Sequence, residues 1–142
     1  MDLDLSEEFG SDETAEIEGV WVPLGGDGAV KVARLGNPEA QTAYRKIPRL
    51  IRRQIEEGTM TDNASRKFLT KFIADNLLKD WRGLSDAGKP LGKFTRDSGL
   101  VMLRKHRRFQ DRTWEIAADE DLFNVQEVEE DAKNSQKLSS GT

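Results

Sequence analysis

The chain has few side chains that could carry out covalent catalysis. His106 is its single histidine, and Ser85, Ser98 or a threonine would have to serve as the nucleophile. Neither serine lies in the strand–nucleophile–helix turn that exposes a catalytic serine. His106 stands within a run of basic residues, namely Arg104, Lys105, Arg107 and Arg108. A basic surface patch explains this histidine better than a catalytic base, so we expect that the protein is not an enzyme.

Metal and cofactor sites are not indicated either. With no cysteine and one histidine, a transition-metal site would need carboxylates alone. The cluster Asp119-Glu120-Asp121 lacks the loop spacing and the central glycine of a calcium-binding hand. Gly25-Gly26-Asp27-Gly28 has neither the Lys-Ser/Thr pair of a phosphate-binding loop nor the dinucleotide spacing. We therefore expect no bound metal and no cofactor.

Two clusters of basic residues are the candidates for a binding surface. The first follows one flank of a predicted helix and contains Arg45, Lys46, Arg49, Arg52 and Arg53, and the second spans residues 104–108. Such clusters can neutralise phosphates, although no recognised nucleic-acid motif accompanies them. They also suit long helical partners that are acidic or amphipathic. A solvated basic face is the third interpretation. For partner binding we single out Arg45, Arg49, Arg52, Arg53, Arg104, Arg107 and Arg108.

The length and the charge distribution of the chain predict one small domain that contains both clusters. The chain has 142 residues, of which 34% are charged and 36% hydrophobic, and this length suits a single core. Residues 1–18 carry eight acidic side chains and no basic one, while residues 115–142 carry eight acidic and two basic ones. With 22 basic and 26 acidic residues in total, residues 19–114 then have a net charge of +10. We expect a cytoplasmic protein with flexible acidic tails at residues 1–18 and 127–142, flanking one domain at residues 19–126.

A β-hairpin is predicted at the start of this domain. Val20-Trp21-Val22-Pro23-Leu24 and residues 29–35 alternate between apolar and polar side chains, on either side of a glycine-rich turn. Pro23 cannot donate a hydrogen bond to a neighbouring strand, so the first strand should lie at the edge of its sheet. A lone hairpin is only marginally stable in water and must pack on other elements.

About four helices should follow the hairpin. Asn37 and Pro38 are typical of a helix start, and Pro48 should kink or break that helix. The second helix should run from a cap at Thr61 or Asp62 to Trp81, because its apolar stripe is Phe68, Leu69, Phe72, Ile73, Leu77 and Trp81. A third, capped by Thr95, and a fourth, beginning near Phe109, complete the set. The predicted class is mainly α (α+β), with the hairpin packed on a small helical bundle.

The order of these segments resembles the tail assembly chaperones of long-tailed (siphovirus-type) bacteriophages. The resemblance rests on residues 19–24, residues 31–34, Asn37-Pro38-Glu39 with Tyr44, and above all residues 77–95. This last stretch contains Asp80-Trp81-Arg82-Gly83 and the turn Gly88-Lys89-Pro90. The resemblance covers about residues 19–123, and the family has no catalytic residues to transfer.

The resemblance implies a protein of the host cell cytoplasm that binds the phage tape-measure protein and is absent from the mature virion. Such a chaperone keeps the tape-measure protein soluble until tail tube subunits polymerise around it. The tail tube protein and further copies of the chain itself are additional partners compatible with this role, whereas nucleic acid and membranes are not expected. The alternatives from other classes are a basic nucleic-acid-binding domain and a structural neck or tail-completion protein of the virion.

Overall fold

The structure is a computed structural model that describes residues 1–59 and 63–123. Its helices are α1 (Leu5–Phe9), α2 (Glu13–Glu18), α3 (Pro38–Arg45), α4 (Arg49–Glu57), α5 (Asn63–Phe72), α6 (Arg96–Lys105) and α7 (Arg107–Ala118). Its strands are β1 (Val20–Gly25), β2 (Gly28–Val32), β3 (Leu78–Arg82), β4 (Ser85–Asp86) and β5 (Lys89–Pro90). A π-helical turn (Ile73–Leu77) follows α5, and a 3₁₀ turn (Glu120–Phe123) follows α7. Helices therefore dominate over a small antiparallel sheet, which confirms the predicted fold class.

The N-terminal hairpin is confirmed, and it belongs to a sheet of three strands. β1 and β2 pair antiparallel, with Val20 opposite Val32 and Val22 opposite Val30. All four valines are buried, so one face of the hairpin contributes to the core. The strand order is β1-β2-β3. β1 is thus at the edge, as the missing N–H of Pro23 requires.

The third strand replaces part of a predicted helix. We expected the second helix to continue to Trp81, but the chain leaves it through the π-helical turn and pairs antiparallel with β2. In this pairing Val32 lies opposite Leu78 and Lys31 opposite Asp80, so one residue of β3 has no partner. The prediction of a helix up to Trp81 is therefore wrong.

A β-bulge explains why the sequence resembled a helix here. The unpartnered residue is Lys79, and it shifts the alternation of the strand by one position. Leu78 and Trp81 consequently share the buried face although they are three residues apart, and they remain 2% and 4% exposed. A spacing of three residues between apolar side chains is also the pattern of an amphipathic helix. Phe68, which we also assigned to the buried stripe, is 42% exposed.

The structure confirms the predicted helix caps Asn37 and Thr95 and the interruption of the helix at Pro48. The side chain of Asn37 accepts a hydrogen bond from the N–H of Ala40 at 2.9 Å, and Pro38 is the first residue of α3. α3 ends at Arg45, and α4 begins directly after Pro48. Thr95 forms a capping box with Ser98 at the start of α6. The proposed caps Thr61 and Asp62 lie outside the described residues.

The core lies between the sheet and the helices that follow it. Its largest fully buried apolar side chains come from β2, the π-helical turn, α6, α7 and the 3₁₀ turn: Val30, Val32, Ile73, Leu77, Leu103, Ile116 and Phe123. Tyr44, Phe72 and Trp114 join three helices through edge-to-face ring contacts, with centroids 5.5 and 6.3 Å apart. These contacts hold α3, α5 and α7 against one another.

The acidic N-terminal segment differs in its second half from the flexible tail that we predicted. Residues 13–18 form α2, in which Ala15 and Glu16 are buried. The carboxylate of Glu16 forms an ion pair with Arg34 and accepts a hydrogen bond from Ser11. The backbone N–H of Arg34 also donates to the carbonyl of Glu16 at 2.9 Å. These contacts attach α2 to the domain. The predicted boundary between residues 126 and 127 lies outside the described residues.

Candidate functional site

The structure separates the predicted binding residues into two groups. Arg45 ends α3, and Arg49 and Arg53 lie on the exposed side of α4. None of the three forms an ion pair with a residue of the described ranges. Leu50, next to Arg49, is 67% exposed. α4 therefore presents a basic outer face that includes an unpacked leucine, and we call these four residues the α4 face.

Arg52 is less exposed than the arginines of the α4 face. It is half-buried, and its Nε has no hydrogen-bond partner among the described atoms. Beside it, the hydroxyl of Tyr44 and the carboxylate of Glu56 lie 3.2 Å apart. Burial, followed by the negative charge of Glu56, raises the pKa of Tyr44 to about 12. Arg52 also lines a pocket of about 220 Å³ together with Arg49, Arg53 and Glu56, so it borders the α4 face.

The second group lies where α5, α6 and α7 meet. Arg104 is in the last turn of α6, and Arg107 and Arg108 are in the first turn of α7. Arg104 and Arg107 line a cavity of about 670 Å³, whereas Arg108 is exposed outside its lining. We call this space the helix-junction cavity. Its lining consists of Asn63, Arg66, Lys67, Thr70, Leu103, Arg104, Arg107 and Gln110.

Sequence reasoning missed two of the cations in this cavity. Arg66 and Lys67 come from α5, which we treated only as a core helix. The signal was present, because Asn63, Arg66, Lys67 and Thr70 recur at spacings of three and four residues. This spacing places polar side chains on one side of a helix. Neither Arg66 nor Lys67 forms an ion pair with a described residue.

His106 has an acidic partner that its sequence neighbours did not indicate. Its Nε2 lies 2.9 Å from one carboxylate oxygen of Asp86, and Lys105 Nζ lies 2.5 Å from the other. The hydrogen bond from Lys105, and then that from His106, hold the pKa of Asp86 below its ordinary value. This contact ties the turn between β4 and β5 to the end of α6. We assign it a structural role.

The tryptophan of the stretch that carries the phage-chaperone resemblance is packed into the domain, although the turn that follows it is exposed. The indole of Trp81 meets the ring of Phe94 edge to face at 5.0 Å, and its Nε1 donates to the carbonyl of Gly92 at 3.0 Å. A Cβ on Gly83 would lie 2.1 Å from the carbonyl oxygen of Asp27, so the chain passes too close to the hairpin turn for any other residue. Trp81 and Gly83 therefore hold this stretch against the rest of the domain.

The part of the chain that the structure describes contains neither a metal-binding cluster nor a membrane-spanning helix. In residues 1–59 and 63–123, no three histidine, aspartate or glutamate side chains are grouped so that they could hold a metal ion. No helix in the same ranges is long and apolar enough to cross a membrane.

Comparison with known proteins gives one match. The model of the family described as YdaY prophage protein matches residues 35–134, which is more than half of the chain. This region includes the α4 face, the helix-junction cavity and the stretch around Trp81. No curated protein and no solved structure is significantly similar to the chain.

Proposed function

The chain belongs to the YdaY prophage protein family and is of phage origin, and from this premise we propose that it is a non-enzymatic chaperone of tail assembly. It binds the tape-measure protein in the host cytoplasm and keeps it soluble until the tail tube forms. The resemblance of residues 77–95 to tail assembly chaperones supports this role within phage biology. The family match supplies the phage origin alone.

The α4 face is the observation that carries the proposed binding activity. Arg49 and Arg53 lie on the same helix as Leu50, which is 67% exposed, and Arg45 ends the preceding helix. An exposed apolar side chain with cations on the same helix is complementary to an amphipathic helix with acidic flanks. A long, largely helical tape-measure protein would offer many such segments. Weak contacts of this kind can release when tail tube subunits compete for the same segments.

Electrostatic attraction increases the rate of binding while leaving the complex reversible. The positive charges of the α4 face attract an acidic segment and increase the rate of encounter. Exposed ion pairs contribute little to the equilibrium, about 0–1 kcal/mol each. Burial of Leu50 would add about 1.5–3 kcal/mol. These contributions add up to at most about 6 kcal/mol before the cost of association, so a single contact of this kind is weak and reversible.

Co-expression tests the proposal. The tape-measure protein of the same phage or prophage is expressed alone, with the wild-type chain, and with the variant Arg49→Gln/Arg53→Gln/Leu50→Ser. We expect the wild-type chain to increase the soluble fraction and the variant to lose this effect. The matched control is Lys89→Gln/Lys93→Gln, which removes two exposed charges from another part of the surface. If the wild-type chain leaves the soluble fraction unchanged, the proposed function is wrong.

A salt series separates this function from nucleic-acid binding. The logarithm of the affinity for duplex DNA should fall with the logarithm of the salt concentration, with a slope of about −0.9 for each phosphate contacted. Binding through Leu50 should depend much less on salt. Tight, steeply salt-dependent binding of DNA, without any effect on the tape-measure protein, would favour the nucleic-acid alternative. Recovery of the chain from purified virions would favour a structural neck or tail-completion protein.

A further inference from the structure

The helix-junction cavity has the properties of a ligand site distinct from the α4 face. Its volume of about 670 Å³ lies in the range of small-molecule pockets. Four cationic side chains line it and no acidic one does: Arg66, Lys67, Arg104 and Arg107. None of the four is in an ion pair with a residue in the described ranges. Four unpaired like charges around one concavity repel one another, so an anion bound there would relieve this repulsion.

The interior of the cavity holds a buried polar group with unused hydrogen-bonding capacity. Gln110 is 3% exposed, and its Oε1 lies 2.7 Å from the hydroxyl oxygen of Thr70. Thr70 also lies within hydrogen-bond distance of the Arg66 carbonyl, at 2.8 Å. In this arrangement the Nε2 of Gln110, which is a hydrogen-bond donor, has no partner among the described residues. Such unpartnered groups are rare in protein interiors.

The N-terminus of α7 adds a third feature. α7 has twelve residues, and its capping residue His106 makes no side-chain hydrogen bond to the first turn, because its ring is engaged with Asp86. The first turn contains no acidic residue and instead carries Arg107 and Arg108. Cations at the positive end of a helix dipole are unfavourable, and uncapped N–H groups there bind anions readily. The local sequence of α7 therefore favours an external anion over a cap from the chain.

The features of the helix-junction cavity favour a compact polyanion as its ligand. No aromatic ring is among the lining residues, so the cavity as described offers no surface on which a base could stack. The cations converge on one concavity and do not form a track along the surface, which is what a nucleic-acid backbone would need. Arginines and a lysine around a helix N-terminus are suited to phosphate oxygens. A ligand with two or more linked phosphate groups would match several of the charges at once.

We propose that the helix-junction cavity binds a small ligand with linked phosphate groups, such as inorganic pyrophosphate or the phosphate chain of a nucleotide. Arg66, Arg104 and Arg107 hold the phosphate oxygens, and Lys67 adds charge. The Nε2 of Gln110 donates a hydrogen bond to the ligand from the interior. This site is separate from the α4 face, so it can be present or absent whatever the outcome for tape-measure binding.

Calorimetric titration of the full chain with pyrophosphate and inorganic triphosphate tests the site, with orthophosphate for comparison. Wild-type protein should bind both linked phosphates, and bind them more tightly than orthophosphate. Arg107→Gln should weaken binding by at least about tenfold, which corresponds to about 1.4 kcal/mol. Arg108→Gln is the matched control, because it removes the same charge from the adjacent residue of the same helix. It should weaken binding by less than about threefold. The side-chain amide signals of Gln110 in a nuclear magnetic resonance spectrum should shift on titration.

Addition of ATP distinguishes a nucleotide from a free polyphosphate, since equal affinity for ATP and triphosphate would show that only the phosphates are recognised. Three results would overturn the proposal. The first is no binding of pyrophosphate or triphosphate at millimolar concentration. The second is equal weakening by Arg107→Gln and Arg108→Gln, which would indicate diffuse attraction only. The third is binding of a duplex oligonucleotide or an oligoglutamate peptide that displaces triphosphate and depends equally on Arg49 and Arg107.

Discussion

Replacement of Trp81 by alanine tests whether residues 77–95 close the core. Trp81 is 4% exposed, it packs edge to face on Phe94 with ring centroids 5.0 Å apart, and its Nε1 donates to Gly92. Removal of a buried tryptophan side chain costs about 3–5 kcal/mol in transfer and cavity energy. This range already includes the loss of the indole hydrogen bond and of the aromatic pair, each of which contributes about 0.5–1.5 kcal/mol. We therefore expect Trp81→Ala to lose about 3–5 kcal/mol of unfolding free energy.

Urea unfolding followed by circular dichroism measures this loss. In a domain of this size the melting temperature should fall by roughly 10 °C or more. Trp81→Phe keeps a ring but loses the indole N–H, and it should cost much less, about 1–2 kcal/mol. Trp21 is the matched control, because it is half-buried on the edge strand with the guanidinium of Arg82 4.4 Å above its ring. Trp21→Ala should cost about 1–2 kcal/mol.

Two results would refute this reasoning. A loss below about 1 kcal/mol for Trp81→Ala would mean that the indole is not part of the core. Equal losses for Trp81→Ala and Trp21→Ala would mean that the two faces of the sheet are packed alike. Either result would reopen the possibility that the stretch around Trp81 is a partner-binding surface.

Three further predictions concern single sites. Tyr44, the only tyrosine of the chain, should ionise near pH 12, because burial and a nearby carboxylate raise its pKa. The stability that the neutral hydroxyl contributes is complete below about pH 10 and is lost as the pH rises through 12. Ultraviolet absorbance that shows ionisation near pH 10 in the folded chain would contradict this prediction. Gly83→Ala should lose about 3 kcal/mol of unfolding free energy, since its φ is +64° and a Cβ would collide with the hairpin backbone. Gly88→Ala, at φ +80° with open space around the position, should lose only about 1–2 kcal/mol. Equal losses would refute the close approach of Gly83 to the hairpin. Gly99→Ala should lose about 1–3 kcal/mol in thermal unfolding, because a Cβ would lie 2.7 Å from the ring of Phe94; stabilisation, as alanine gives in an open helix, would show that this contact is absent.

Local signals predicted most of the fold. The hairpin, the cap formed by Asn37, the break at Pro48 and the cap formed by Thr95 depend on residues close together in the chain. Propensities and turn chemistry act over the same distances, so a sequence pattern can reveal them. Gly99 shows the limit of this reasoning. It weakens a helix by propensity, and only the position of the Phe94 ring shows why a larger residue does not fit.

Long-range pairing was the part that the sequence could not reveal. β3 pairs with β2 across about fifty residues of chain, and the bulge at Lys79 gave it a helical spacing. The partner of Glu16 is Arg34, eighteen residues away, so an acidic segment that looked unsuited to folding is attached to the domain. No periodicity within one segment records such contacts.

The binding residues were predicted in part for the same reason. Runs of arginine in the sequence showed where both clusters lie in the chain. They did not show which of the arginines share a surface. Arg52 is half-buried beside the exposed Arg49 and Arg53, and α5 brings Arg66 and Lys67 to Arg107. A cavity between three helices is defined by tertiary packing, so its composition could be assembled only from the structure.

The most direct test of the central claim is the amount of tape-measure protein that co-purifies with the tagged chain. We predict a stable complex with the wild-type chain and with Lys89→Gln/Lys93→Gln, and a strong reduction with Arg49→Gln/Arg53→Gln/Leu50→Ser. All three chains should show the same circular dichroism spectrum, so that a loss reports binding and not unfolding. Absence of the tape-measure protein from the wild-type eluate would contradict the proposed function. Equal recovery with the α4 variant would place the partner on another surface.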